Sequence, residues 1–190
     1  MTGQVRPLAK GIAALALVGP VLYAVLQAVQ AQPTTQQAAP FIAPVDVDTT
    51  GLPGPLQPVF YRHDIHAGQY EMDCRYCHYA AEVSSSPGLP SLDTCMGCHL
   101  IIGAANPEVA KVREAFNEGR PIEWVEVHKL PSFVHFPHMR HVKADIQCQD
   151  CHGEVQRMAK VYQFASLKMG WCLECHRSEG VTTDCTACHY

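Results

Sequence analysis

The word C-x-x-C-H occurs five times in this chain and uses up every cysteine. The copies are Cys74/Cys77/His78, Cys95/Cys98/His99, Cys148/Cys151/His152, Cys172/Cys175/His176 and Cys185/Cys188/His189. It is the signature of covalent c-type haem attachment. Two thiols three positions apart on a helical turn share a face, so both can close thioethers to one edge of a porphyrin. The histidine that follows then turns its imidazole to the iron. His78, His99, His152, His176 and His189 are therefore the expected proximal ligands of five haem c groups. Other uses of cysteine fit poorly. A disulfide scaffold would not place a histidine after every second cysteine. Zinc sites would combine the pairs two by two and leave one over. A thioredoxin-like redox pair would occur once, in a βαβ context.

Six histidines are left for the opposite faces of the irons: His63, His66, His128, His135, His138 and His141. Four of them lie in an internal repeat. Residues 61–78 read "YRHDIHAGQYEMDCRYCH" and residues 136–152 read "FPHMRHVKADIQCQDCH". Each is an aromatic-x-His-x-x-His followed by a spacer and then the attachment word. Histidines three apart share a helical face, yet each can point at a different iron. One pair can thus serve two neighbouring haems. His63, His66, His138 and His141 are the expected distal ligands. For the fifth iron the candidates are Met169 and His128, then Met158, and last His135, which stands outside the repeated pattern. A Met/His haem would have a raised potential. A fifth iron open on one side is the remaining case, and would point to catalysis.

The N-terminus sets the compartment. Residues 1–10 carry Arg6 and Lys10 and no acid, and residues 11–31, "GIAALALVGPVLYAVLQAVQA", carry no charge. A helix of that length spans a hydrocarbon layer of about 30 Å. The basic flank stays in the cytoplasm and sends the rest of the chain outside. Pro20 would kink the helix, which membrane helices tolerate. The rival reading is a signal peptide cleaved after Val29-Gln30-Ala31, but the apolar run is long for one. Both readings export the haem domain. Residues 32–59 hold prolines 33, 40, 44, 53, 55 and 58, which bar a long helix and predict an extended arm. Phe41, Ile42 and Val45 could lie along a partner surface.

Residues 60–190 then give about 26 residues to each motif. That is too few for a conventional apolar core, so the haems must form much of the interior. The expected fold is mostly irregular, with short α-helices around the motifs and one longer helix over 107–117, "PEVAKVREAFN". Pro107 suits its first turn, and Glu118-Gly119 should end it. Parts of 154–170 are also expected to be helical. The net charge of −4 is mild and mixed, which gives no nucleic-acid face.

The repeated aromatic-x-His-x-x-His…C-x-x-C-H unit resembles multihaem cytochromes of class III type. The stretch "PIEWVEVHKLPSFVHFPHMRH", with "CQDCHGEV" and "MGWCLECHR" after it, is similar to the pentahaem cytochrome subunit family of alternative complex III. The likeness covers nearly the whole chain and is weakest over 32–59. It implies a membrane complex that oxidises quinol. In that setting the subunit takes electrons from an iron–sulfur subunit beside integral quinol-binding subunits. It passes them to a monohaem cytochrome c or a terminal oxidase. His135 departs from the tyrosine that the resemblance leads one to expect.

Two other functions fit the residues less well. A small membrane-anchored multihaem quinol dehydrogenase would hold its first motif close behind the anchor, whereas here 42 residues separate Ala31 from Cys74. A multihaem nitrite-type reductase needs an open iron, and the family of that kind carries a C-x-x-C-K word absent here.

Overall fold

The computed structural model describes Ile42 and residues 46–190. The proposed anchor over 1–31, its kink at Pro20, the cleavage site and residues 32–41 and 43–45 of the arm lie outside the described residues. Among the described residues there is no strand, and no helix is long and apolar enough to cross a membrane.

The helices are short and follow the attachment words. α1 is Cys74–Cys77, α2 is Leu92–His99, α3 is Pro107–Asn117, α4 is His138–Lys143, α5 is Cys148–His152 and α6 is Met169–Ser178. The fifth motif forms a 3₁₀ turn, Cys185–Ala187. Local chemistry starts these turns where the motifs need them. The Asp73 side chain accepts from Arg75 N and caps α1. At α5 the Gln147 side chain caps the turn while Asp150 reaches back to the Gln147 N–H, a reciprocal capping box.

The expected longer helix is present with the same bounds, capped by Asn106 and carrying Pro107 in its first turn. It ends at Gly119, whose φ of +64° lets Arg120 N reach back to Ala115 O at 3.0 Å. Parts of 154–170 are helical, as expected: the turn Val155–Arg157 and the start of α6 at Met169, with 158–168 irregular between them. The reason is a long-range contact. Val161 O lies against the Cα of Gly54, at a spot where a side chain would clash, so this segment follows the incoming arm rather than its own helical propensity.

The end of the arm is tied to the domain. Gln57 exchanges two hydrogen bonds with the backbone of Val125, at 2.8 and 2.9 Å. Val59 joins Met96 and Val112 in an apolar cluster, with Leu92, Cys95, Phe116, Ile122 and Trp124 packed around it. This core serves the second motif. By contrast, α1, α5, α6 and the fifth-motif turn carry no buried residue. The apolar packing among the described residues thus gathers at the second motif.

A π-helical turn, Asp64–Gln69, holds the first His-x-x-His unit. Tyr70 N bonds to Ile65 O at 3.0 Å, one residue further back than in an α-helix. Beneath it lies a buried ion pair. Arg62 and Asp64 are 8% and 2% exposed and are joined by two bonds, Nε to Oδ1 at 2.9 Å and Nη2 to Oδ2 at 2.5 Å.

Candidate functional site

No disulfide joins any of the ten cysteines, so each thiol is available for attachment. In α1, α2, α5 and α6 each pair sits one turn apart, so both sulfurs leave from one face, the arrangement a two-point covalent attachment needs. Every motif places one cysteine in the open and half-buries the other. The exposed members are Cys74, Cys98, Cys148, Cys175 and Cys185, and the half-buried ones are Cys77, Cys95, Cys151, Cys172 and Cys188. In the second motif the division follows the apolar cluster. Cys95 packs against it, whereas Cys98 lies one turn on, at the open end of α2. There the Cys98 carbonyl accepts from Ile101 N at 3.1 Å and Ile102 N at 3.0 Å, which closes the helix behind His99.

Seven of the eleven histidines are held in one tautomer. Nδ1 of His78 donates to Gly88 O at 2.9 Å, that of His99 to Ile102 O at 3.0 Å, that of His176 to Thr182 O at 2.6 Å, and that of His189 to Phe133 O at 3.0 Å. On the His-x-x-His units, Nδ1 of His66 donates to Arg62 O at 2.9 Å, that of His138 to Ser85 O at 2.7 Å, and that of His141 to Pro137 O at 3.1 Å. A carbonyl oxygen only accepts, so Nδ1 carries the proton in all seven rings. Nε2 is left with its lone pair, the state in which imidazole binds a metal. Burial also holds several rings neutral. It pushes His63 and His152 each down to about 4, with His78 adding to the effect at His63 and His128 and His138 adding to it at His152. It lowers His66, His128 and His138 as well.

The rings meet in pairs. Two imidazoles on opposite sides of one metal, with bonds of ~2.0 Å, place their centroids roughly 6 Å apart. His66 and His99 are 6.0 Å apart, His141 and His176 are 6.1 Å, and His138 and His152 are 6.4 Å. Each pair joins one repeat histidine to one motif histidine. His63 lies by His78, close enough to perturb it. The residues present therefore fit an iron–porphyrin held on two sides.

The candidates for a fifth distal ligand are scattered. His128 packs edge-on against His152 at 4.4 Å, and its Nε2 is buried with no hydrogen-bond partner. Met169 begins α6 and is 66% exposed. Met158 is buried. His135 lies against the fifth motif itself, its N–H donating to Cys188 O at 2.8 Å and its ring stacked on Tyr190 at 4.2 Å.

The five motifs are also neighbours in an order that the sequence does not follow. Burial pushes the Cys95 thiol up, and nearby Cys77 adds to this. The Cys74 and Cys148 thiols lie close together, and their interaction pushes Cys74 up and Cys148 down. The same seam carries backbone bonds from His138 and Met139 to Ser85 O and Ser84 O, at 3.2 and 3.0 Å. Cys151, raised by burial and then by Asp150, also feels Cys175 and Cys172. Cys172, raised by burial, feels Cys188. His66 meets His99, α4 bonds to Ser84 and Ser85 after the first motif, His138 and His141 meet His152 and His176, and His135 bonds to Cys188, so the motifs neighbour one another in the order second, first, third, fourth, fifth. The Arg62–Asp64 pair and this order are features that the sequence reading missed. The second repeat carries Pro137 and Met139 where the first has Arg62 and Asp64, so the repeat gives no signal for the ion pair.

Comparison with known proteins agrees with this geometry. Residues 134–190 match the family model described as cytochrome c7 and related cytochrome c. The chain is also 30% identical, over 156 residues, to the menaquinone reductase multihaem cytochrome c subunit of Nitratidesulfovibrio vulgaris. That match covers 70% of this chain and 74% of the relative.

Proposed function

The chain belongs to the multihaem cytochrome c family, and on that premise we propose that it is the electron-conducting subunit of a membrane quinol-oxidising complex. As a family member it carries covalently bound haem c and takes part in electron transfer. The finer reading assigns five haems, one to each motif. Bound haem supplies a one-electron centre at each site. The chain supplies attachment, orientation and proximity. His78, His99, His152 and His176 face His63, His66, His138 and His141 in that order. His128 stands at the third site beside His138. For the fifth distal ligand Met169 and His128 are the candidates, and His135 lies beside the fifth motif.

One observation carries the proposal, the unbroken succession of ring pairs and backbone bonds that links the motifs from the second to the fifth. A conductor needs such contiguity, whereas an enzyme needs one open iron. With an imidazole on each side, four haem irons would be closed to substrate. The partners in this reading are an iron–sulfur subunit, integral quinol-binding subunits, and a monohaem cytochrome c or terminal oxidase as acceptor. The uncharged 11–31 run would anchor the chain, with the haem domain on the extracytoplasmic side.

A second reading is favoured by the relative from Nitratidesulfovibrio vulgaris, a subunit of a menaquinone reductase. Electrons would then run toward quinone. Purification from native membranes separates the two. Quinol-driven reduction of the haems, with co-purified iron–sulfur and integral subunits, supports the first. Haems that quinol does not reduce, but that pass electrons from a reduced cytochrome to quinone, support the second. A lone cytochrome with neither activity overturns both.

The ligand assignment has its own test. Replacing His66 or His63 with alanine should turn one haem in five high-spin, read from the visible spectrum and from electron paramagnetic resonance. An unchanged spectrum removes that residue from the ligand set.

A further inference from the structure

The aromatic residue that opens each repeat has no role in attachment or ligation, yet its geometry is the same in both copies. The Tyr61 ring is edge-on to His63, with centroids 4.7 Å apart and planes at 85°, and stacks on His66 at 4.5 Å and 22°. The Phe136 ring is edge-on to His138 at 4.7 Å and 88°, and lies over His141 at 4.3 Å and 32°. The backbones beneath differ, a π-turn in the first repeat and the α-helix α4 in the second. One wedge geometry on two different scaffolds argues for selection of the wedge itself.

We propose that Tyr61 and Phe136 are positioning residues, each fixing the ring planes of two imidazoles that serve two different haems. The inference rests on the ligand reading above. An edge contact and a face contact from one ring leave each imidazole a single rotation about its bond to the metal. Stacked and edge-to-face arrangements are the favoured ones for such rings. The angle between the two imidazole planes on an iron sets the splitting of its d orbitals. It is therefore visible in the g values of a low-spin haem. Ligand orientation and second-shell bonding also tune the metal.

The two wedges are not equally important. His66, His138 and His141 are also oriented through Nδ1 by a carbonyl oxygen. Nδ1 of His63 is buried and has no hydrogen-bond partner. Nothing polar fixes that nitrogen, so the edge of Tyr61 is the principal restraint on its rotation. The haem served by His63 should be the most sensitive to loss of its wedge.

The test uses the full holoprotein, with haem content, g values and midpoint potentials as readouts. Tyr61→Leu should keep the haem number and keep every haem low-spin. It should shift two low-spin signals and their potentials, more strongly for the haem served by His63. Tyr61→Phe should restore both. Phe136→Leu should shift two other signals by less, and carries the test alone if Tyr61→Leu fails to mature. Unchanged g values and potentials in the leucine variants overturn the proposal, as does failure of Tyr61→Phe to restore them. His63→Ala separates this from the ligand reading. A high-spin haem there, with no shift in Tyr61→Leu, sinks the wedge alone. No high-spin haem in His63→Ala sinks the ligand assignment.

Discussion

Replacing both Cys74 and Cys77 with serine should leave a chain that holds four haems and no longer passes electrons from its second motif to its last three. In sequence the first motif is an end. In space it is a junction, because Cys77 lies by Cys95 and Cys74 lies by Cys148. Removing it isolates the second site from the third, fourth and fifth. Electron equilibration across the chain should slow by at least about tenfold, equivalent to a barrier rise of ~1.4 kcal/mol or more. The control is Cys185→Ser with Cys188→Ser, at the other end of the succession. That variant also loses one haem, but its remaining four stay contiguous and equilibrate at the original rate. Rapid-reduction kinetics followed haem by haem give both numbers. Equal rates in the two double variants would contradict the order second, first, third, fourth, fifth.

Replacing Asp64 with alanine should cost about 3–5 kcal/mol, the penalty for breaking a buried ion pair by removing one member. Arg62 and Asp64 are both buried, and their bidentate bonds bracket His63. Without the carboxylate, the Arg62 guanidinium loses this counter-charge in a site that admits little water. For a chain of this size each kcal/mol lowers the melting temperature by roughly 2–4 °C. Replacing both members with apolar residues of similar volume, Arg62→Met with Asp64→Leu, should recover most of the loss, since a buried pair often contributes little over a well-packed apolar substitute. Thermal unfolding of the holoprotein is the measurement. A change below about 1 kcal/mol in Asp64→Ala would show that the pair does not hold the turn.

What the sequence made legible was local. A cysteine pair one turn apart and a histidine beside it define an attachment turn without reference to the rest of the chain, and all five motifs fold as short helical turns. The helix Pro107–Asn117 was legible for the same reason, since Asn106, Pro107 and Gly119 are start and stop signals within a few residues of one another. The repeat histidines were legible because the pattern occurs twice. His66 and His141 each meet a motif histidine at a distance that suits one metal between them.

The rest depends on contacts between distant segments. Cys74 and Cys148 meet only because α4 folds back on the loop after the first motif, through Ser84 and Ser85. No spacing rule encodes that. Nor does the motif say which of its two cysteines turns inward. Cys95 is half-buried and Cys98 exposed because Val59, more than thirty positions earlier, brings the arm's end against one side of α2. Residues 158–168 stay irregular because Val161 lies against Gly54, more than a hundred positions earlier. His135 follows the spacing of its own repeat by one more step of three, yet the structure places it on the fifth motif by way of Cys188 and Tyr190. The aromatic at the head of each repeat was visible as a letter. Its wedge between two imidazoles became visible only as distances and angles.

The central claim is that every cysteine is spent on haem and that the chain is one five-centre conductor. Pyridine haemochrome analysis of the purified full-length chain, set against its protein concentration, tests this most directly. The account predicts five haems c per chain. A value of two or three would contradict it.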